Sequence, residues 1–383
     1  MIHSRNRLAL TILAKRLRYF PVVAIQGARQ TGKSFLAREL LRKLFKSSKY
    51  LSFDQQTTLT YAKEQPHSFL KEYSVFSPII IDEAQKVPHI FDAIKYEVDT
   101  QNRPGRFLLL GSTEFSHLTK IRESLTGRLG RIRLYPMNIK ETLGHHLKKL
   151  VPTRKQLIQY LASGGMPAIF SISDSQAKTA LFEDWVQLTC TRDLLQLKAL
   201  KLDPDLTYQI LVQCAKQDWP DSPSIARALR ENSRRVQTHL KGLCELFVLH
   251  CLNAYPSSKG KPLYLLLDPG VANYLGATVL RRLHITLLNE RLCKNTYSNE
   301  KKKSFYYYRS TSKNLIHLIE ESLDNNHNAF QLVDFERIKK TDVELMRSFL
   351  SRNPATKGCV YAPIFESIKI NTVLVQPWEK FTA

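Results

Sequence analysis

A chain of 383 residues exceeds one typical hydrophobic core, so two or three domains are expected, and 43% hydrophobic residues exclude a disordered polymer. The balance of 57 Lys+Arg against 34 Asp+Glu gives a formal charge of +23, which favours polyanions, nucleic acid first, with a solvated basic surface as the competing reading. Six cysteines without a C-x-x-C pair argue against a disulfide framework or zinc module, and no run approaches the ~20 apolar residues of a membrane span, so a cytoplasmic protein with no membrane partner is expected.

In chain order, Leu8 to Ala14 is a short apolar run broken by Lys15, expected as a helix rather than a leader. Short apolar, β-branched or aromatic runs then recur at Val22–Ile25, Tyr50–Phe53, Pro78–Ile81, Phe107–Leu110 and Ile132–Leu134. Helical patterns fill the gaps: Phe35–Phe45 places Leu36, Leu40, Leu41 and Leu44 on one face, and Ile90–Val98 and Phe115–Leu125 behave alike. Strands alternating with helices at this spacing predict an α/β fold, a parallel sheet covered by helices on both faces.

Between the first strand and the first of these helices lies Gly27-Ala28-Arg29-Gln30-Thr31-Gly32-Lys33-Ser34. Glycines at this spacing let the backbone curl so that successive N–H groups point at phosphate oxygens, and the strand-loop-helix setting is the one the motif requires. Lys33 is expected at the β- and γ-phosphates, Ser34 on Mg²⁺, and Phe35 contributes its backbone only. The all-apolar run Ile79-Ile80-Ile81 ends in Asp82-Glu83, which delivers two carboxylates to the carboxyl edge of the sheet. Asp82 is expected on the metal and Glu83 as the base that polarises the attacking water, so the expected reaction is hydrolysis of a nucleoside triphosphate. No Asn-Lys-x-Asp element that reads guanine occurs, which leaves adenine, and hence ATP with Mg²⁺.

Two further positions follow. Phe107–Leu110 runs into Gly111-Ser112-Thr113, where Ser112 is placed to sense the γ-phosphate, and Arg128 is placed to neutralise transition-state charge in a neighbouring subunit of a homo-oligomer. Arg131 and Arg133 are its rivals.

After residue 140 the pattern turns helical. Ser222-Pro223-Ser224 opens a helix, Glu231-Asn232-Ser233 turns, and Arg234–Leu246 forms a second helix, the outline of a helix-turn-helix, with Phe247–Cys251 and Pro262–Leu267 as wing strands. Arg227, Arg230, Arg234, Arg235 and Lys241 make residues 227–241 a basic region suited to DNA phosphates, against a solvated helical face. Strand-like runs follow Phe305-Tyr306-Tyr307-Tyr308-Arg309, at Leu315–Ile319, Phe330–Phe335 and Thr372–Val375. The expected domains are residues 1–140, 141–280 and 281–383.

The phosphate loop, Ile81–Pro88, Leu110–Thr113 and Ser124–Arg128 together resemble the prokaryotic AAA+ ATPases whose C-terminal half is known only as a domain of unknown function. Gly164-Gly165-Met166-Pro167, Arg192-Asp193, Asp268-Pro269-Gly270-Val271 and Tyr306–Arg309 extend the resemblance over nearly the whole chain. It implies an AAA+ core, a winged-helix segment and a C-terminal fold of the PD-(D/E)xK nuclease type. Members of that family follow the Tyr-Arg element with Glu-x-Asp and then Glu-x-Lys, where this chain has Leu315-Ile316-His317 and Asp334-Phe335-Glu336. A nuclease-like domain without nuclease activity is therefore expected, serving docking or regulation.

Overall fold

The computed structural model describes residues 5–114, 125–144, 151–197, 202–258, 260–298, 300–310, 314–323 and 327–382. The expected helix at 115–125 lies outside them except for Leu125. Helix α1 (Ala9–Leu17) leads to β1 (Val22–Gln26), the phosphate loop and α2 (Lys33–Phe35), which widens to a π-helical turn over Leu36–Leu40 and tightens to 3₁₀ geometry over Leu41–Lys43. The helix expected at 35–45 thus starts earlier, at Lys33 itself, and stops before Phe45, which still packs beside the core. Next come β2 (Lys49–Ser52), α3 (Gln56–Glu64), α4 (Pro66–Glu72), β3 (Ile79–Asp82), α5 (Ile90–Thr100), β4 (Phe107–Gly111) and β5 (Leu129–Arg133).

These five strands form one parallel sheet in the order β2-β3-β4-β1-β5. The pleat explains why the strands read as continuous apolar runs: Val22, Ala24, Ile79 and Ile81 pack on one face, while Val23, Ile25, Ile80 and Leu108 pack on the other. Each of these valine, isoleucine and leucine side chains contributes about 1.5–3 kcal/mol relative to exposure, and Ala24 less. β5 begins three residues before the expected Ile132, pairing from Leu129 against Val22. Gly130, pressed against the Phe20 ring, interrupts its apolar pattern.

The chain continues through α6 (Ile139–Leu143), α7 (Arg154–Ser163), α8 (Pro167–Phe170), α9 (Ser175–Leu188), α10 (Pro204–Lys216), α11 (Ser222–Leu229) and α12 (Ser233–Glu245). Asp221 caps α11 and Asn232 caps α12, which is why the expected turn falls where it does. An antiparallel pair follows, β6 (Leu249–Ala254) with β7 (Leu263–Leu266), then α13 (Pro269–Tyr274) and the long α14 (Val279–Tyr297). The last section holds β8 (Lys303–Arg309), β9 (Leu315–Ser322), β10 (His327–Leu332), α15 (Glu344–Arg352), β11 (Thr356–Ala362), β12 (Ile368–Ile370) and β13 (Val373–Pro377).

β6 also runs parallel to β8, so a second, mixed sheet of eight strands has the order β12-β13-β11-β10-β9-β8-β6-β7 and crosses residue 280. The strand expected at 330–335 ends at Leu332, which leaves Asp334, Phe335 and Glu336 in an exposed loop beyond it. Among the described residues no helix is long and apolar enough to cross a membrane.

Candidate active site

The strand order puts β4 between β1 and β3, so the carboxyl ends of these three strands bring the phosphate loop, Ser112 and the Asp82-Glu83 pair side by side. Gly27 N donates to Gly111 O at 3.3 Å and ties the loop to β4. A Cβ on Gly27 would stand 2.2 Å from the Leu134 carbonyl oxygen, so only glycine fits. Gly32 turns the chain at φ +92°, the left-handed region glycine enters freely. Buried Lys33 folds over the loop, its Nζ donating to Gly27 O at 2.8 Å and Ala28 O at 2.9 Å. Burial pushes its ammonium down to about 8, against the pull of Glu83 and Asp82. An ammonium satisfied only by its own loop can exchange those carbonyls for phosphate oxygens.

Ser34 Oγ donates to Asp82 Oδ2 at 2.6 Å, and the Tyr50 hydroxyl donates to the same oxygen. Burial, with help from Asp82, pushes the Tyr50 hydroxyl up, so it stays a donor. Glu83 sits at φ +55°, an uncommon conformation for a residue with a side chain. Ser112 Oγ donates to Glu83 Oε2 at 3.2 Å, and the Gln85 amide donates both to Glu83 Oε2 and, at 3.3 Å, to Ser112 Oγ. The base candidate and the sensor candidate are therefore directly bonded.

Arg128 lies apart from this group. It precedes β5 at the amino end of the sheet, is 37% exposed, and pairs with Asp99 at 2.6 Å.

A cavity of about 720 Å³ opens over the loop, with Lys33, Asp82 and Glu83 on one side and Met137, Phe170 and Ile172 on the other. The second wall is α8 and its flanks, held by a buried aspartate: Asp268 Oδ1 accepts from Gly270 N and Val271 N to cap α13, and Oδ2 accepts from Gly165 N at 2.7 Å. Arg29 of the loop forms a bidentate pair with Asp193 at 2.8 and 2.7 Å, and Trp185 Nε1 donates to Arg29 O at 3.3 Å. Buried Arg7 donates to Thr31 O and Tyr135 O and pairs with Glu141. Ala28 O accepts from Lys33 and Thr31 O from Arg7, Gln30 stands at φ +62°, and Thr31 Oγ1 closes the turn onto Ala28 O at 2.9 Å. The Ser34 and Asp82 oxygens converge as a hard-cation donor pair, so the residues fit Mg²⁺.

Tyr50, Gln85, Arg7 and Asp193 belong to the site without having been assigned to it from sequence. Gln85 and Asp193 stood inside recognisable motifs; Arg7 and Tyr50 carry no local signal.

A parallel sheet with a glycine loop, Lys-Ser and a strand-end Asp-Glu at one edge defines a P-loop nucleotide-binding domain of the ATPase class. Residues 19–143 match the family described as AAA domain, and residues 154–285 match Domain of unknown function (DUF8612). An uncharacterised protein of Mycobacterium tuberculosis is 28% identical over 192 residues, 50% of this chain and 40% of that protein. Another, from Methanocaldococcus jannaschii, is 24% identical over 193 residues, 47% of this chain and 43% of its own. The chain thus spans less than half the length of either relative. Among solved structures, the Walker-type ATPase of Pyrococcus abyssi matches with TM-score 0.43 and 14% identity, over 70% of this chain and 94% of that one.

Proposed function

We propose that the chain binds ATP with Mg²⁺, hydrolyses it, and transmits nucleotide state to a winged-helix-like region (α10–α12 with β6 and β7) and to the C-terminal sheet. The observation that carries this is the convergence of Lys33, Ser34, Asp82, Glu83 and Ser112 on one strand edge. Mg²⁺ held by Ser34 and Asp82 would spread the charge that develops on the phosphate oxygens. Lys33 exchanges its loop carbonyls for the β- and γ-phosphates, and the loop N–H groups hold the rest of the chain of phosphates. Glu83, oriented by Ser112 and Gln85, takes the proton of the attacking water. Arg29 and Asp193 tie the loop to the helix that follows α9, so the loop and the helical region move together.

The expected domains, 1–140, 141–280 and 281–383, remain a proposal, as does Arg128 acting on a neighbouring copy in a homo-oligomer. Its place at the far end of the sheet suits no role within its own chain. The C-terminal sheet is proposed to dock or regulate rather than cut. His317 is buried, its Nδ1 accepts from Leu332 N at 3.1 Å, and burial lowers it to about 3, so it stays neutral, while Asp334 is exposed in the loop. Metal-dependent DNA cleavage abolished by altering Asp334 would overturn that reading.

Steady-state ATPase measurement tests the main proposal. Lys33→Ala should lose ATP binding, and Glu83→Gln should keep binding while turnover falls by about 10²–10⁴. Unchanged ATP affinity in Lys33→Ala sinks it. A second reading, nucleotide-gated DNA binding with little turnover, draws on the exposure of Arg227, Arg230, Arg234 and Lys241 on α11 and α12 and the turn between them. Arg235 is less free, being paired with Glu231 and Asp203. DNA-stimulated ATPase favours coupling; salt-sensitive DNA binding without stimulation favours the second reading. The cytoplasm is the proposed compartment, all six cysteines being free thiols.

A further inference from the structure

One residue before the phosphate loop, Gln26 lines a second cavity of about 310 Å³ that shares no lining residue with the first. Four cations face it, Arg16 from α1, Arg131 and Arg133 from β5 and Lys302 before β8, against one carboxylate, Glu114. Four positive charges less one negative leave a formal +3 around the space. Among the described residues none of the four cations makes an ion pair. Arg16 donates to the Arg131 carbonyl and Lys302 to the Asn295 carbonyl, contacts that leave their charge uncompensated.

Arg133 is the most constrained. Its guanidinium lies 5.2 Å from the Tyr135 ring centre and 4.6 Å from that of Phe247. Phe247 reaches it from a backbone at φ +59°, a conformation an aromatic residue seldom adopts. Rings stabilise the charge from its faces but accept nothing in its plane. Its Nε and Nη2 are buried and, among the described residues, have no hydrogen-bond partner, an arrangement that costs free energy and that a small side-chain shift toward an acceptor in the cavity would relieve.

We propose that this cavity binds a phosphoryl group, presented by a small phosphorylated molecule or by a nucleic-acid strand. A phosphoryl group, doubly charged as a monoester and singly charged within a strand, offers several tetrahedrally placed oxygens that suit guanidinium forks and an ammonium together, and the monoester also offsets a +3 surround better than a single carboxylate does. Burial lowers Arg16, and burial together with the neighbouring Arg16 charge lowers Lys302. Because Gln26 also donates to Thr113 O at 2.9 Å, next to Ser112, an anion here sits against the back of the nucleotide site.

The test is calorimetric titration of inorganic phosphate into the full chain carrying Lys33→Ala, which makes the result independent of the ATP reading. Expected is saturable uptake, weakened at least about tenfold by adding Arg133→Gln. The pair Arg16→Gln and Lys302→Gln, which leaves the aromatic clamp intact, should weaken it severalfold and guards against misfolding of the Arg133 variant. Absent uptake, or unchanged affinity in both variants, overturns the proposal. Displacement of phosphate by a short unphosphorylated duplex identifies a strand as the source; displacement by pyrophosphate with the duplex inert identifies a small molecule.

Discussion

At the residue scale, Lys33 makes the site sensitive to pH. Burial holds its ammonium near 8 rather than at its ordinary 10.5, so the folded chain gives up this proton before the unfolded chain does. The unfolded state therefore binds more protons between pH 8 and 10.5, and this group's penalty on stability, full below pH 8, is relieved as pH rises through that window. Bound ATP would reverse the order, since phosphates favour the charged form. Above pH 8 ATP should bind with uptake of up to one proton and affinity should fall as pH rises; binding heats in buffers of different ionisation enthalpy measure the uptake, and their equality at pH 9 would contradict it. Asp82 and Ser34 were legible in sequence because their chemistry dictates residue type at fixed spacing. Tyr50 was not, because its role comes from β2 lying beside β3, a tertiary approach that leaves no mark on neighbouring residues.

At the element scale, the wall over the nucleotide cavity hangs on Asp268. Asp268→Ala removes the cap of α13 and leaves Gly165 N unpaired, and the sum should be about 2–4 kcal/mol. Asp268→Asn retains one acceptor and removes a buried charge, so it should cost less; urea unfolding compares the two. Gly164 is fixed by the same contact: it adopts φ +68° and a Cβ there would lie 2.1 Å from Asp268 Oδ1. Gly164→Ala should therefore destabilise by more than about 2 kcal/mol. Trp185, bonded to the loop carbonyl of Arg29, should change its fluorescence when ATP binds, and Trp185→Phe should abolish that signal. The first sheet was readable because its strands are buried on both faces. β5 was misplaced because a glycine and two arginines interrupt it at the sheet edge, and β11 and β12 went unread because their alternation mixes polar and apolar residues.

At the scale of the molecule, two buried carboxyls link its parts. Burial raises Asp268 to about 6 and Glu290 to about 7, and Glu290 accepts from Ile139 N at 2.7 Å at the start of α6. Here the folded chain holds its protons longer than the unfolded chain does. Their contribution is full below the unfolded values, 3.8 and 4.5, and is lost as pH rises to about 6 and 7. Thermal melts should thus show a stability decline from pH 4.5 to 7 that Glu290→Gln with Asp268→Asn flattens. A steeper slope in the double variant would count against the assignment. Neither linking role was legible, although Asp268 stands within a recognised motif, since each carboxyl owes its burial to segments more than a hundred positions away in the chain.

The sheet that crosses residue 280 also bears on how the molecule comes into being. β6 leaves the ribosome well before β8, its parallel neighbour, with α13 and α14 made in between. Until β8 follows, the Asn253–Ala254 end of β6, where β8 pairs, has bare N–H and C=O groups of the kind other chains recruit. A product ending near residue 300 should therefore be more prone to aggregate than the full chain, which light scattering of the two at equal concentration would show.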